Sequence, residues 1–519
     1  MKMKKSLIIM SLFGSVGVFG QTSALLDTNN ISAKIKSDGT LFDGIFTVPK
    51  GSGKNSIYTG NIWIGGIDVG GQLHIAGQTY AQSGADFFYG PMASNYSAAS
   101  YTSTYNNVWK VDKSTINFHI ANYTTGGYIV PASIANWPGN GNVSNGEAAV
   151  LAPYVDVNSN STYDPINGDY PDMRGDQAIF FMVNDDKQAH GETGGTKLGI
   201  EVHGMAYSFA STSDSALTQT VFVNYQIINR SLNNYDSVYF GAFTDMDLGG
   251  YADDFVGSDS LLNMYYTYNG SANDVSYGNK PPAQGAVFLN HPMSKFIYYD
   301  NNSNPVNGNP NGADDFYQYL SGTWKNGTAI TYGGNGTTGS VPCNFMFSGN
   351  PATGTGWTEI AAGSTPGDRR GINSAGPFNL LVGGEICVDM AYPFACDYAG
   401  SNLTSITLLR QRTQSIQTFY NGQGYNCQFL STNVNDNNSL ENLLSIYPNP
   451  FTSHTIIAFK EEQKNTTIKI MDVLGKTIKT LNFTGKQLLI EKGEMKEGIY
   501  FVQIIDGNKN VMNRKIIAQ

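Results

Sequence analysis

"QTVFVNYQIINRS", Gln219 to Ser231, and "YDSVYFGAFTDMDLGG", Tyr235 to Gly250, decide how the middle of this chain is read. Val221, Val223, Tyr225 and Ile227 occupy alternate positions. Such alternation marks a strand with one face turned to a core. The second stretch resumes after the asparagine-rich turn Asn229-Arg230-Ser231-Leu232-Asn233-Asn234, so the two predict adjacent strands of a sandwich. Upstream, "QAIFFMV" (Gln177 to Val183) is a near-continuous apolar run, expected of a strand covered on both faces. No stretch offers a long amphipathic helix, and no internal repeat suggests a propeller or solenoid. Residues 21–430 are more than one sandwich normally needs. The expectation is all-β: two packed sandwich-like units, or one large sandwich with long decorated loops.

Composition agrees with that reading. Charged residues make up 14% of the chain, and Gly, Asn, Ser, Thr and Tyr fill the gap. Aromatic residues are plentiful enough to build a core, which argues against disorder. The net charge is −10, yet residues 444–519 carry eleven Lys/Arg against seven Asp/Glu. An acidic body therefore precedes a mildly basic tail, and the asymmetry marks a domain boundary. The polar stretch 431–443 reads as the linker. An acidic body repels nucleic acid and anionic membrane surfaces, whose binding needs Lys/Arg. It suits divalent cations.

The chain opens with Lys2, Lys4 and Lys5, then an apolar run from Ser6 to Phe19, then small residues. Positive, greasy and small segments in that order predict a signal peptide over 1–20, with Val18-Phe19-Gly20 at the cleavage site. No later stretch is long and apolar enough to span a bilayer, so the mature protein is expected to lack a transmembrane segment. At the other end, Thr467 to Ile470 and Ile499 to Ile504 alternate, and Gly475, Gly485, Gly493, Gly498 and Asp506-Gly507 punctuate the runs. On physical grounds residues 444–519 form a small antiparallel β-sandwich.

Tyr447-Pro448-Asn449-Pro450, Asp472-Val473-Leu474-Gly475-Lys476, Gly498-Ile499-Tyr500-Phe501-Val502 and the basic Arg514-Lys515-Ile516-Ile517 resemble the C-terminal sorting domain of type IX secretion cargo in Bacteroidetes-type bacteria. The resemblance implies a small Ig-like sandwich that engages the type IX machinery through residues 444–519. It also implies a route through the periplasm to the extracellular space or the outer cell surface. Removal of the tail would leave the passenger free or attached to surface lipopolysaccharide. The passenger resembles a group of large surface proteins carrying the same tail. That likeness rests on Asp156–Pro171, on the stretch from Val223 to Asp259, on "GNKPPAQGAVF" (Gly278 to Phe288) and on "GDRRGINSAGPFNL" (Gly367 to Leu380). It implies the topology class and nothing about mechanism.

Two loops hold the candidate metal ligands. Calcium takes six to eight oxygens, and alternate residues of a tight loop can all point inward. Asp156, Asn158 and Asn160 have that spacing, Asp164 stands at position 9, and Asp169 follows. Ser161 and Asn167 stand where an EF-hand wants Gly and Glu, so the loop reads as a calcium loop between two β segments. The bland alternative is an Asx-turn network without metal. The second group is Asp245, Asp247, Asp253, Asp254 and Asp259. Carboxylates that close repel and raise their own pKa values unless a cation or water relieves them. Divalent metal, a solvated acidic loop and a catalytic carboxylate pair are the three readings.

Other features weigh less. Cys343, Cys387, Cys396 and Cys427 allow one or two disulfides on an oxidising export route, with no pairing chosen. His190, Glu192, Glu201 and His203 lack the spacing of a zinc motif, and Glu201 and His203 are expected on one exposed strand face. Arg174-Gly175-Asp176 runs straight into an apolar strand, which disfavours recognition of that tripeptide. Five tryptophans (Trp63, Trp109, Trp137, Trp324, Trp357) are core residues or a sugar platform. The functional expectation is a structural or adhesin-like surface protein stabilised by calcium. The alternatives are a secreted hydrolase of glycan or peptide and a carbohydrate-binding module.

Overall fold

The structure is a computed structural model that describes residues 21–82, 84–210, 213–425, 444–472, 476–493, 495–505 and 511–519. The expected signal peptide, the linker 431–443 and Cys427 lie outside the described residues. The chain divides into two compact units, Met1–Leu430 and Ser431–Gln519.

The larger unit is built on two antiparallel sheets. The first has eight strands and runs Ser23–Leu26, Ser32–Lys36, Leu41–Thr47, Thr59–Asp68, Tyr235–Asp245, Arg369–Leu380, Lys295–Asp300, with Leu73–Gly77 also paired to Thr59–Asp68. The second has nine and runs Asp254–Asp259, Met264–Asn269, Ala283–Phe288, Glu385–Ala395, Thr220–Asn229, Ile200–Ser208, Gln177–Asn184, Phe88–Tyr89, with Trp109–Asp112 also on Gln177–Asn184. The all-β class expected from the sequence holds, as one large sandwich.

Alternation explains the layering. Ile179, Phe181 and Val183 enter the core between the sheets, while Ala178, Phe180 and Met182 enter a second core on the far face. The apolar run of Gln177–Asn184 is thus covered on both sides, as its sequence predicts. The far face is closed by the helix Asn402–Gln423 and by the segment carrying Trp109 and Trp137. That helix was not anticipated. Its buried positions (Asn402, Ser405, Ile406, Leu409, Arg412, Thr413, Ile416, Tyr420) follow helical spacing, but half of them are polar, so the apolar stripe is diluted in the sequence. Ser401 and Thr404 form its capping box, with Thr in the place usually held by Glu or Gln.

A second correction concerns the opening pair of strands. Thr220–Asn229 belongs to the nine-stranded sheet and Tyr235–Asp245 to the eight-stranded one. They do not pair; the Asn-rich turn carries the chain across the sandwich. Val221, Val223, Tyr225 and Ile227 do share a face, and Tyr225 meets Phe240 across the gap at 5.5 Å between ring centroids. Alternation alone fits a hairpin and a crossing equally well.

On the outer face of the first sheet, Trp63 stacks on Phe243 (5.7 Å, 6°) and the helix Ala313–Ser321 lies above with Phe316, Tyr319 and Leu320 buried. Gly241 permits this approach: a Cβ there would fall 2.3 Å from Leu320 Cδ2.

The smaller unit is a five-stranded antiparallel sheet. The 18-residue strand His454–Met471 pairs with Leu444–Tyr447, Thr477–Glu491 and Gly498–Ile505, and Val511–Ala518 completes the sheet. Register shifts interrupt the long strand around Gln463. Ile457 and Phe459 from its first half and Ile468 and Ile470 from its second half share one core, so the sheet curls on itself.

Candidate functional site

Four neighbouring strands of the first sheet end together. Thr59 pairs with Asp245, Asp245 with Arg370, and Arg370 with Tyr299. Residues in register across a sheet share a face, so this row presents to the same side as the Trp63 and Phe243 stack. Just beyond the last pair stand Asp247, two residues after Asp245, and Asp368, two residues before Arg370. One ligand oxygen from each of Asp245, Asp247 and Asp368 lies within 4.8 Å of the others.

These residues line an open cleft of about 770 Å³. Tyr58, Tyr80, Tyr251, Tyr299 and Phe316 supply aromatic walls, and Gln82, Asn301, Asn309 and Asn311 supply amides. Glu192 enters from the loop before Ile200–Ser208. Its Oε1 accepts from the Thr79 backbone N–H at 2.8 Å and from the Thr79 hydroxyl. Its Oε2 is enclosed without a hydrogen-bond partner. Burial pushes the Glu192 carboxyl up to about 7, against the pull of Thr79.

Asp245 is 2% exposed. Its Oδ2 accepts from the Tyr80 hydroxyl at 2.7 Å and sits 3.7 Å from Arg370, while its Oδ1 has no hydrogen-bond partner. The guanidinium also reaches Asp368 at 2.6 Å and donates from Nε to the Tyr80 oxygen at 2.6 Å. Burial raises the Asp245 carboxyl despite Arg370. Asp247 is raised by burial first and then by the neighbouring charges of Asp245 and Asp368. Burial keeps the Tyr80 phenol protonated, raised further by Asp245.

The rest of the second acidic group goes elsewhere. Asp253 is half-buried. Asp254 is buried, with Oδ2 accepting from Leu248 N–H at 3.1 Å. Asp259 caps the turn at Leu261 and pairs with Arg410 at 3.3 Å. Its basic partner, like Arg370, comes from far along the chain.

In the first loop, the strands Tyr154–Val155 and Tyr170–Pro171 pair at the base. Asp164 gathers the amide nitrogens of Asn158 (3.1 Å), Asn160 (2.9 Å) and Asn167 (2.8 Å). Asp156 accepts from the backbone of Asn160 (3.2 Å) and Ser161 (2.7 Å). Asp169 is buried and accepts from Val157 and Asp164 N–H at 2.8 and 2.9 Å. These are Asx-turn contacts, and the Asn side chains converge on one carboxylate.

One further expectation, an exposed face for Glu201 and His203, is corrected. Glu201 and His203 are buried, paired to each other at 2.9 Å, with Arg230 on Glu201 at 3.0 Å. Strand position suggested exposure because the covering layer comes from distant sequence. Arg174 is held by Asp389 at 2.7 Å. All five tryptophans are buried, so none forms a sugar platform. Cys343 and Cys396 are free thiols and Cys387 is engaged. Tyr80, Asp368 and Arg370 were missed as site residues. "GDRRGIN" was visible as a feature, but only the ladder brings it to Asp245.

The tail has its own match: residues 445–519 fit the Secretion system C-terminal sorting domain family. Residues 445–519 are a type IX secretion sorting domain. A sorting domain of this kind implies interaction with the type IX machinery and indicates secretion through the periplasm to the extracellular space or cell surface. Among the described residues no helix is long and apolar enough to cross a membrane. A curated relative, an endo-acting ulvan lyase of Formosa agariphila, is 34% identical over 90 residues, 17% of each chain. The present chain therefore spans about a sixth of that relative. Among solved structures, the polysaccharide lyase BACCELL_00875 aligns at 8% identity and a TM-score of 0.20, covering 61% of this chain and 34% of that one. PorZ, a surface component of the type IX system of Porphyromonas gingivalis, aligns at 9% and 0.14, covering 66% and 42%. Neither score supports an argument about the passenger.

Proposed function

We propose that the passenger is a secreted glycan-active hydrolase, with the cleft lined by Glu192, Asp245, Asp247 and Asp368 as its site. The observation that carries this reading is the meeting of tyrosine walls, amides and several carboxyl groups in one open groove. Glycoside hydrolysis needs a carboxylic acid that protonates the leaving oxygen and a second carboxylate that acts as base or nucleophile. Glu192, held up to about 7, serves as the acid. The base side of the reaction falls to the acidic group around Asp245. Exposed Tyr58 and Tyr251 offer faces for sugar rings, and the amides offer partners for hydroxyls.

We favour this reading over the structural or adhesive role expected from the sequence because the carboxyl groups line a concave cleft together with aromatic and amide side chains. The name of the ulvan lyase, which is matched over 90 residues, points toward glycans as well. The test is incubation of the full chain with neutral and anionic polysaccharides, ulvan among them. New reducing ends without ultraviolet absorbance of an unsaturated uronate support a hydrolase. That absorbance would assign a lyase instead, and binding without cleavage a carbohydrate-binding module. Glu192→Gln is expected to lower turnover roughly 100-fold or more.

A further inference from the structure

We propose that Asp245, Asp247 and Asp368 bind one divalent cation of the calcium class at the inner end of the cleft. Their oxygens converge within 4.8 Å. Two ligands on opposite sides of calcium stand about 5 Å apart, and neighbouring ligands stand closer. Convergence alone is common among acids, but here a second observation points to a ligand. Asp245 is 2% exposed and lines the cleft, yet its Oδ1 has no hydrogen-bond partner. A buried carboxylate oxygen left bare is costly, and a cation is the partner that suits it best.

Charge supports the same conclusion. Among the described residues lining the cleft, Arg370 alone is basic. It offsets one of three carboxylates and leaves an excess of two negative charges, the complement of one dication. The donors are all hard oxygens, with no Cys or His in the group, which selects calcium, magnesium or manganese over zinc or copper. The open side of the cleft leaves room for water or a sugar hydroxyl to complete the coordination shell. The ladder that pairs Asp245 with Arg370 fixes the spacing, so the donors are positioned before any ion arrives. The inference stands whether or not the cleft cleaves glycans.

The test is calcium titration of the full chain by isothermal calorimetry after chelation, comparing wild type with Asp247→Asn and Asp368→Asn. A third variant, Asp164→Asn, serves as a control for the separate Asp156–Asp169 loop. Terbium is a second probe, since Tyr80 and Tyr299 lie beside the site and can sensitise its luminescence. The expected result is loss of one calcium equivalent, or a weakening beyond the roughly 10–100-fold that even an outer-shell change costs a metal site. The same loss should appear in both cleft variants and be absent from Asp164→Asn. Unchanged stoichiometry and affinity in both folded cleft variants would overturn the proposal. Calcium binding without turnover on any glycan would leave this site standing and remove the hydrolase reading alone.

Discussion

The Tyr80 hydroxyl donates to Asp245 Oδ2 at 2.7 Å, although the two residues are 165 positions apart. The Tyr80 hydroxyl oxygen in turn accepts the Arg370 Nε hydrogen at 2.6 Å. Tyr80 therefore relays the guanidinium to a buried acid whose other oxygen is bare. Tyr80→Phe keeps the ring against Phe243 and removes only the relay. Urea denaturation should show a loss of about 1–3 kcal/mol, the cost of stripping a partner from a buried acceptor. Stability equal to wild type would mean that the relay is not made.

Glu192 makes a prediction about pH. Its folded-state pKa lies near 7, above the ordinary 4.5. The stability it contributes is full below about pH 4.5 and is lost as pH rises through 7. Gln cannot ionise. The difference in melting temperature between Glu192→Gln and wild type should thus shift in favour of the variant from pH 5 to pH 8. A difference that stays flat over that range would place the pKa elsewhere.

Arg369 spans Glu359, at 3.1 Å, and Asp300. Glu359 is fully buried, and burial pushes it up to about 7 although Arg369 pulls the other way. Arg369→Ala leaves that carboxyl without its counter-charge. At pH 8 the loss should reach about 3–5 kcal/mol, the range for breaking a buried pair. At pH 5 it should be smaller, because Glu359 then takes up a proton. Chemical denaturation at the two pH values checks this.

Gly241 sets the height of the helix Ala313–Ser321 above the sheet. Gly241→Ala drives a Cβ to 2.3 Å from Leu320 Cδ2, so the helix must move. Overpacking of this kind costs about 1–3 kcal/mol. Phe316 on the same helix lines the cleft, so glycan affinity should fall along with stability. A stability loss with affinity intact would show that the helix and the cleft wall are not mechanically linked.

Much of the β architecture could be read from alternation and from the unbroken apolar run at Gln177–Asn184. The sorting domain was legible because its motifs are local and ordered. The helix Asn402–Gln423 was not, since Ser, Thr, Asn and Arg occupy half of its buried stripe. Of the site, Asp245 and Asp247 could be named because they stand two apart at a strand end. Asp368, Arg370 and Tyr80 could not, because their nearness to Asp245 depends on pairings across more than a hundred residues. Glu192 drew attention for the wrong neighbours: His190 and His203 turn into separate buried contacts with Asp185 and Glu201.

Phe180 and Phe181 are joined by one peptide bond, yet they belong to different interiors. Phe180 leans on Trp109 and Trp137, at 6.0 and 5.5 Å, and Phe181 on Tyr225 at 6.2 Å. Covalent adjacency here means little energetically. Truncating one should leave the surroundings of the other in place, so the double variant should cost close to the sum of the singles. In a doubly covered sheet, next-door residues along the polymer behave as distant sites, and the strand acts as a wall between two compartments.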